Sequence, residues 1–171
     1  MKKILLVVTI VLLTSAMFSV EMGWGYGRVV DDFGDDTGVR FLRNVGVGKF
    51  SNRVTANSKV LFRVGIDSDF DAVTIILFEY IRYPVFFSNS MYVNIKVKID
   101  NEEPYNLKAF VFNKYLSISS PQSDLLIKDF KRASYAKILI TYEDSRYSLS
   151  FDCNEFTSKY NKLYKQNKKG E

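Results

Sequence analysis

From Met91 to Ile99 the chain alternates without interruption. Met91, Val93, Ile95, Val97 and Ile99 fall on one side, and Tyr92, Asn94, Lys96 and Lys98 on the other. A period of two sends successive side chains to opposite faces, so this segment predicts a half-buried β-strand. Asn101-Glu102-Glu103-Pro104 turns it back into Tyr105–Phe112, where Leu107, Ala109 and Val111 alternate against Lys108, Phe110 and Phe112. A second hairpin pairs Lys59–Ile66 with Asp71–Tyr80 through polar Asp67-Ser68-Asp69-Phe70. Its second arm is apolar on both faces over Val73–Phe78, as expected of a central or covered strand. A third hairpin joins Tyr135–Tyr142 to Arg146–Phe151 across Glu143-Asp144-Ser145. Shorter strands are predicted at Val39–Val45, ended by Gly46-Val47-Gly48, and at Tyr115–Ile118. Trp24–Val30 alternates large residues with Gly25 and Gly27 before an Asp/Gly loop over 31–38.

Two segments carry helical spacing. Ser120-Pro121 predicts a helix start, with the hydroxyl as N-cap and proline at the first helical position. Leu125, Leu126 and Phe130 form its stripe, and Lys128, Lys131 and Arg132 suit its C-terminal dipole. Phe156, Tyr160, Leu163 and Tyr164 mark a second helix near the C-terminus, capped by Asp152 or Asn154. The pattern predicts one mainly β domain, an antiparallel β-sandwich of about seven to nine strands with two short helices.

The N-terminus reads differently. Lys2 and Lys3 precede an apolar run from Ile4 to Leu13, followed by Thr14-Ser15-Ala16. This predicts a signal peptide over residues 1–19, cleaved after Ala16 or Ser19. The run is shorter than the ~20 residues a membrane span requires. A periplasmic or secreted protein is expected, with a domain over 20–158 and a helix end and basic tail over 159–171. No cysteine stands at the end of the apolar run, so no lipoprotein anchor is expected. Cys153 is the only cysteine. It reads as a small apolar filler at a strand end, or as an exposed thiol for pairing between molecules.

Charge and composition narrow the chemistry. The chain is basic, with 24 Lys+Arg against 19 Asp+Glu. Residues 20–158, however, hold 17 basic and 18 acidic residues, so the excess lies in the leader and the tail. Counted this way, the domain has no electrostatic footprint for nucleic acid, and none is expected as a partner. The tail solubilises the C-terminus or touches anionic lipid or cell-wall polymer. There is no histidine, which removes Ser-His-Asp and Cys-His nucleophiles and His-based zinc sites. No cofactor is implied.

Several constellations remain. Asp32-Phe33-Gly34 matches the kinase magnesium tripeptide but has no nucleotide loop beside it. Asp31, Asp32, Asp35 and Asp36 could gather Ca²⁺ ligands, or form a turn rich in residues that bond their own backbone. Asp67, Asp69 and Asp71 imitate the start of an EF-hand loop, but Ala72 and Phe78 stand where its glycine and closing glutamate belong. Glu79 ends the most apolar strand and needs a partner if buried; Arg63 or Arg82 would make it a structural ion pair. With an aspartate from 31–36 it could instead act on a glycosidic bond. Tyr26, Tyr80, Tyr83, Phe86, Phe87 and Tyr92 either fill the core and its rims or form a platform. Phe86, Phe87 and Tyr83, beside Pro84, are the partner-binding candidates.

The order Trp24, Asp31-Asp32-Phe33-Gly34-Asp35, Thr37-Gly38, Gly48-Lys49-Phe50-Ser51-Asn52, then Leu77-Phe78-Glu79-Tyr80, resembles a loosely defined group of small exported bacterial proteins. These carry Asp-x-Phe-Gly-Asp-x-Thr-Gly and Gly-x-Phe-Ser-Asn stretches, and the similarity spans nearly the whole chain after the leader. It implies an exported β domain and supplies no catalytic residues. The functional expectation is a non-enzymatic binding module or structural protein of the bacterial envelope, engaging a protein or glycan there. The alternatives are a carboxylate-dependent glycan hydrolase and a calcium-stabilised surface module.

Overall fold

The computed structural model describes residues 22–67, 72–87 and 91–167. The expected signal peptide, Asp69 and Asp71, and residues 168–171 lie outside them. Among the described residues ten strands and two helices are formed: β1 Gly23–Val30, β2 Asp36–Ser51, β3 Ser58–Asp67, β4 Ala72–Glu79, β5 Tyr83–Pro84, β6 Tyr92–Ile99, β7 Tyr105–Phe112, β8 Tyr115–Ile118, α1 Gln122–Arg132, β9 Tyr135–Tyr142, β10 Ser145–Asp152 and α2 Phe156–Asn167.

The three predicted hairpins form, but the sheet does not split into two layers. Its strands run β2-β10-β9-β6-β7-β8-β4-β3, and β3 pairs again with β2. The result is a closed, antiparallel eight-stranded barrel, not the expected sandwich. An eight-stranded barrel is just narrow enough for side chains to fill. Val93, Ile95, Val97 and Ile99 of β6 meet Leu107 and Ala109 of β7 and Ile138 and Ile140 of β9 inside, all at most 4% exposed. Lys96, Lys98, Lys108 and Lys137 point outward, the reverse of the pattern a lipid-facing barrel carries. No helix among the described residues is long and apolar enough to cross a membrane.

Closure depends on β2. Gly46 and Gly48 are expected from the sequence to end a strand at Val45; instead the strand continues through them to Ser51. One edge of β2 pairs with β3 from Leu42 to Phe50. The other takes β1 along its first half and β10 at Lys49–Ser51. Three strands crowd its middle, and glycine is what permits the approach. A Cβ at Gly48 would lie 2.5 Å from the Ser148 carbonyl oxygen, and one at Gly46 2.5 Å from the Phe62 ring. These glycines mark a tight bend rather than a break.

One end of the barrel is plugged by aromatic rings. Trp24 sits 4.7 Å from Phe156, 5.7 Å from Phe151 and 5.9 Å from Phe130, centroid to centroid. Offset and edge-on pairs of this kind contribute about 0.5–1.5 kcal/mol each beyond the area they bury. The Trp24 indole N–H donates to the Asp152 carbonyl at 2.7 Å, the Tyr26 hydroxyl donates to the Lys159 carbonyl, and Thr157 donates to the Lys131 carbonyl. Helix α2 is thereby tied to β1 and to α1. Helix α1 begins with Pro121 at the cap rather than Ser120, whose hydroxyl bonds Asp124 instead.

Replacing Gly48 with alanine is expected to cost about 1–3 kcal/mol in urea unfolding, because the obstruction is backbone that cannot swing away. The neighbouring exposed Val47→Ala should stay within about 0.5 kcal/mol of wild type.

Candidate functional site

The register that closes the barrel also sorts its charges. Lys98 lies directly opposite Lys137, Lys96 opposite Leu139, Leu139 opposite Ser148, and Ser148 opposite Lys49. All have outward parity, because their chain neighbours Val97, Ile138, Leu149 and Phe50 fill the interior. With Arg146 they line a shallow depression of about 520 Å³ that holds, among the described residues, five cations and no carboxylate. Among the described residues none of the five forms an ion pair. Lys49 also sits directly opposite Lys59 of β3. Like charges directly across a ladder are destabilising, by roughly 0.2–1 kcal/mol a pair.

Along the same outward rows, aromatic side chains replace lysine. Tyr92 of β6 and Phe110 of β7 are directly opposite, with ring centroids 5.8 Å apart. Tyr92 is 57%, Phe110 43% and Phe112 67% exposed. Tyr92-Asn94-Lys96-Lys98 and Lys108-Phe110-Phe112 thus form one surface, apolar at one end and cationic at the other. Tyr92 is among the platform candidates of the sequence. Phe110, Phe112 and the lysines are not, although the polar face of the alternating strands is their signal.

The predicted residues scatter around this surface. Tyr83 and Phe86 are exposed, as a partner-binding role requires. Phe87 is not: it is 2% exposed and packs edge-on against Tyr142 at 5.0 Å. The amides of Val85 and Phe87 donate to Leu77 and Asn113, laying this segment along the barrel rim with alternate side chains in and out. Glu79 has no ion-pair partner among the described residues; the Tyr147 hydroxyl donates to it at 2.7 Å. Burial and this bond raise the Tyr147 phenol above its ordinary pKa. Arg63 lies on the outer face of β3 and cannot meet Glu79, whose parity on β4 is inward.

The aspartates form a hairpin tip. Asp31 Oδ1 accepts the amides of Phe33 and Asp35 at 3.0 and 2.9 Å. Asp36 is gripped by both terminal nitrogens of Arg40 at 2.7 and 2.9 Å, which holds its carboxyl at about 2. Among the described residues no three Asp, Glu, Cys or His side chains converge on a possible metal position. Nor does this tip approach Glu79, which lies level with Val60 and hence with Gly48 of β2. About twelve residues of β2 separate Gly48 from Asp36, some 40 Å at roughly 3.3 Å per residue. Paired glycosidase carboxylates stand about 5–9.5 Å apart, so these groups do not form such a pair.

Protein-family models, curated proteins and solved structures were all compared with the chain, and none matches.

Tyr147→Phe is expected to fold and to lose about 1 kcal/mol in urea unfolding, the worth of one partly buried hydrogen bond. Cys153 is 2% exposed, and burial pushes its thiol up to about 12. In native protein at pH 8 it should resist alkylation, then react fully in denaturant, as mass spectrometry would read.

Proposed function

We propose that this protein is an exported, non-enzymatic binding module of the bacterial envelope, and that its ligand is an acidic glycan held on the outer face of β2, β10, β9, β6 and β7. The observation that supports this most directly is the cation cluster Lys49, Lys96, Lys98, Lys137 and Arg146, with no carboxylate lining it. Solvation alone would be served by mixed charges. Facing lysines across a ladder instead sacrifice stability, and an anionic ligand recovers it. The aromatic end of the same surface favours a sugar polymer, since exposed rings offer apolar faces to pyranose rings while lysines take the acidic substituents. Export follows from the expected signal peptide, and the absence of histidine supports a role without acid–base turnover.

The cations are exposed, so their attraction is screened over about 8–10 Å at ordinary ionic strength. Binding should therefore be strongly salt-dependent. The test is retention on immobilised polyuronate, with neutral dextran as control. Charge reversal at Lys96→Glu, Lys98→Glu and Lys137→Glu should weaken polyuronate binding by about tenfold or more and flatten its salt dependence. Tyr92→Ala/Phe110→Ala should weaken binding while leaving the salt slope unchanged. Equal retention of wild type and the charge-reversed variant would overturn the proposal.

A further inference from the structure

A second concave surface lies on the outer face of β1, β2 and β3, away from the lysines. Gly27 lines it, and Gly25 and Gly65 stand opposite Arg43 on the strands to either side. Gly25 and Gly27 of β1 and Gly65 of β3 have outward parity, so no side chains rise where neighbouring strands would carry them. The Phe41 ring swings over the gap, and a Cβ at Gly27 would sit 2.2 Å from its Cζ. A cavity of about 470 Å³ remains, lined by Arg43 and Arg63 beside Phe41, and by Arg28, Arg40 and Asp36.

The charges in it do not balance. Among the described residues Asp36 is the one carboxylate lining it, and Arg40 already binds it through two hydrogen bonds, with Arg28 3.8 Å away. Arg43 makes only a long 3.5 Å contact to the Tyr26 carbonyl. Arg63 has no hydrogen-bond or ion-pair partner among the described residues, and its Nε is buried. Arg43 faces Gly65 and Arg63 faces Val45, so the two guanidinium groups are diagonal neighbours on adjacent strands. Burial and the Arg43 charge both push the Arg63 guanidinium below its ordinary pKa, and the Tyr115 side chain acts in the opposite direction. Arginine does not discharge in proteins, so an unpaired, partly desolvated charge persists beside another of the same sign. That arrangement is costly unless an anion completes it.

We propose that this glycine-floored trough binds the oxyanion of a small ligand, a carboxylate or phosphate group, with Arg43 and Arg63 as its paired donors and Phe41 as its apolar flank. Two guanidinium groups offer the planar, forked donors that such oxygens accept in pairs. A group carried on a sugar or other ring fits better than a bare ion, since Phe41 provides a face for the ring. The site is separate from the lysine surface and does not depend on what binds there.

The test is thermal unfolding of the purified full chain, titrated with inorganic phosphate, a hexose phosphate and a hexuronate, against chloride at matched ionic strength. Wild type should show a saturable rise in Tm with at least one oxyanion and none with chloride. A larger rise with the ring-bearing anions than with inorganic phosphate would assign the site to a substituted sugar. A larger rise with inorganic phosphate would assign it to the free ion. Arg63→Met should diminish the rise and, without ligand, melt above wild type by a few degrees, since it removes an uncompensated charge and keeps the apolar stem. A packing role for Arg63 predicts the opposite sign. Repeated in the Lys96→Glu/Lys98→Glu/Lys137→Glu background, where the lysine surface no longer takes the anion, the Arg63-dependent part of the rise should remain. No saturable rise in wild type, or an undiminished one in Arg63→Met, would overturn the proposal.

Discussion

Everything in this molecule depends on β2 being bonded along both edges. Eight strands joined by hairpins would otherwise form an open, twisted sheet with one face wet and two edges exposed. Because β2 accepts β3 on one side and β10 on the other, the sheet returns on itself and the wet face becomes the outside of a barrel. The interior can then be filled by single residues from each strand, without a second sheet. Gly46 and Gly48 are the condition for this. With side chains at those positions, the Phe62 ring and the Ser148 carbonyl could not approach as they do.

Closure has an electrostatic consequence. In a sandwich, the outward residues of β2, β10, β9 and β6 could have fallen on different faces. In the barrel these strands are consecutive, and their outward lysines and arginine meet on one wall. The acids are placed elsewhere: Asp31 and Asp36 at the β1–β2 tip, and Glu102 and Asp129 on Arg132 beside the helical plug. A near-neutral domain thus presents a strongly cationic side, and short-range electrostatics acts on that side, not on the net charge.

Stability is concentrated at the plugged end, where Trp24, Phe130, Phe151 and Phe156 contact one another and two helices are tied down. The outer wall gives some of it back. Facing lysines, the buried Arg63 Nε, without a partner among the described residues, and the exposed Tyr92, Phe110 and Phe112 are arrangements that folding alone does not favour. Asn44 belongs with them: it is 1% exposed inside the barrel, and both its amide atoms lack a partner among the described residues. Local violations of this kind gather where proteins bind.

Hairpins, helices and the inward or outward sense of most residues are legible in the sequence, because periods of two and near four are properties of short windows. The strict alternation over Met91–Ile99 is enough to send Val93, Ile95, Val97 and Ile99 inward, where the barrel holds them. Phe87 escapes such a reading because its burial goes with the hydrogen bond its backbone N–H donates to the Asn113 carbonyl, far along the chain. Glu79 suggests a cationic partner, but its partner is Tyr147, which lies across the barrel mouth. Gly46 and Gly48 look like breakers, since a breaker and a close-approach glycine are written alike and differ only in what comes near. Local pattern decided which residues are strand, helix and core. Pairing between distant strands decided that the sheet is a barrel and that its charges gather on one wall, because register and closure are set by contacts that no short window contains.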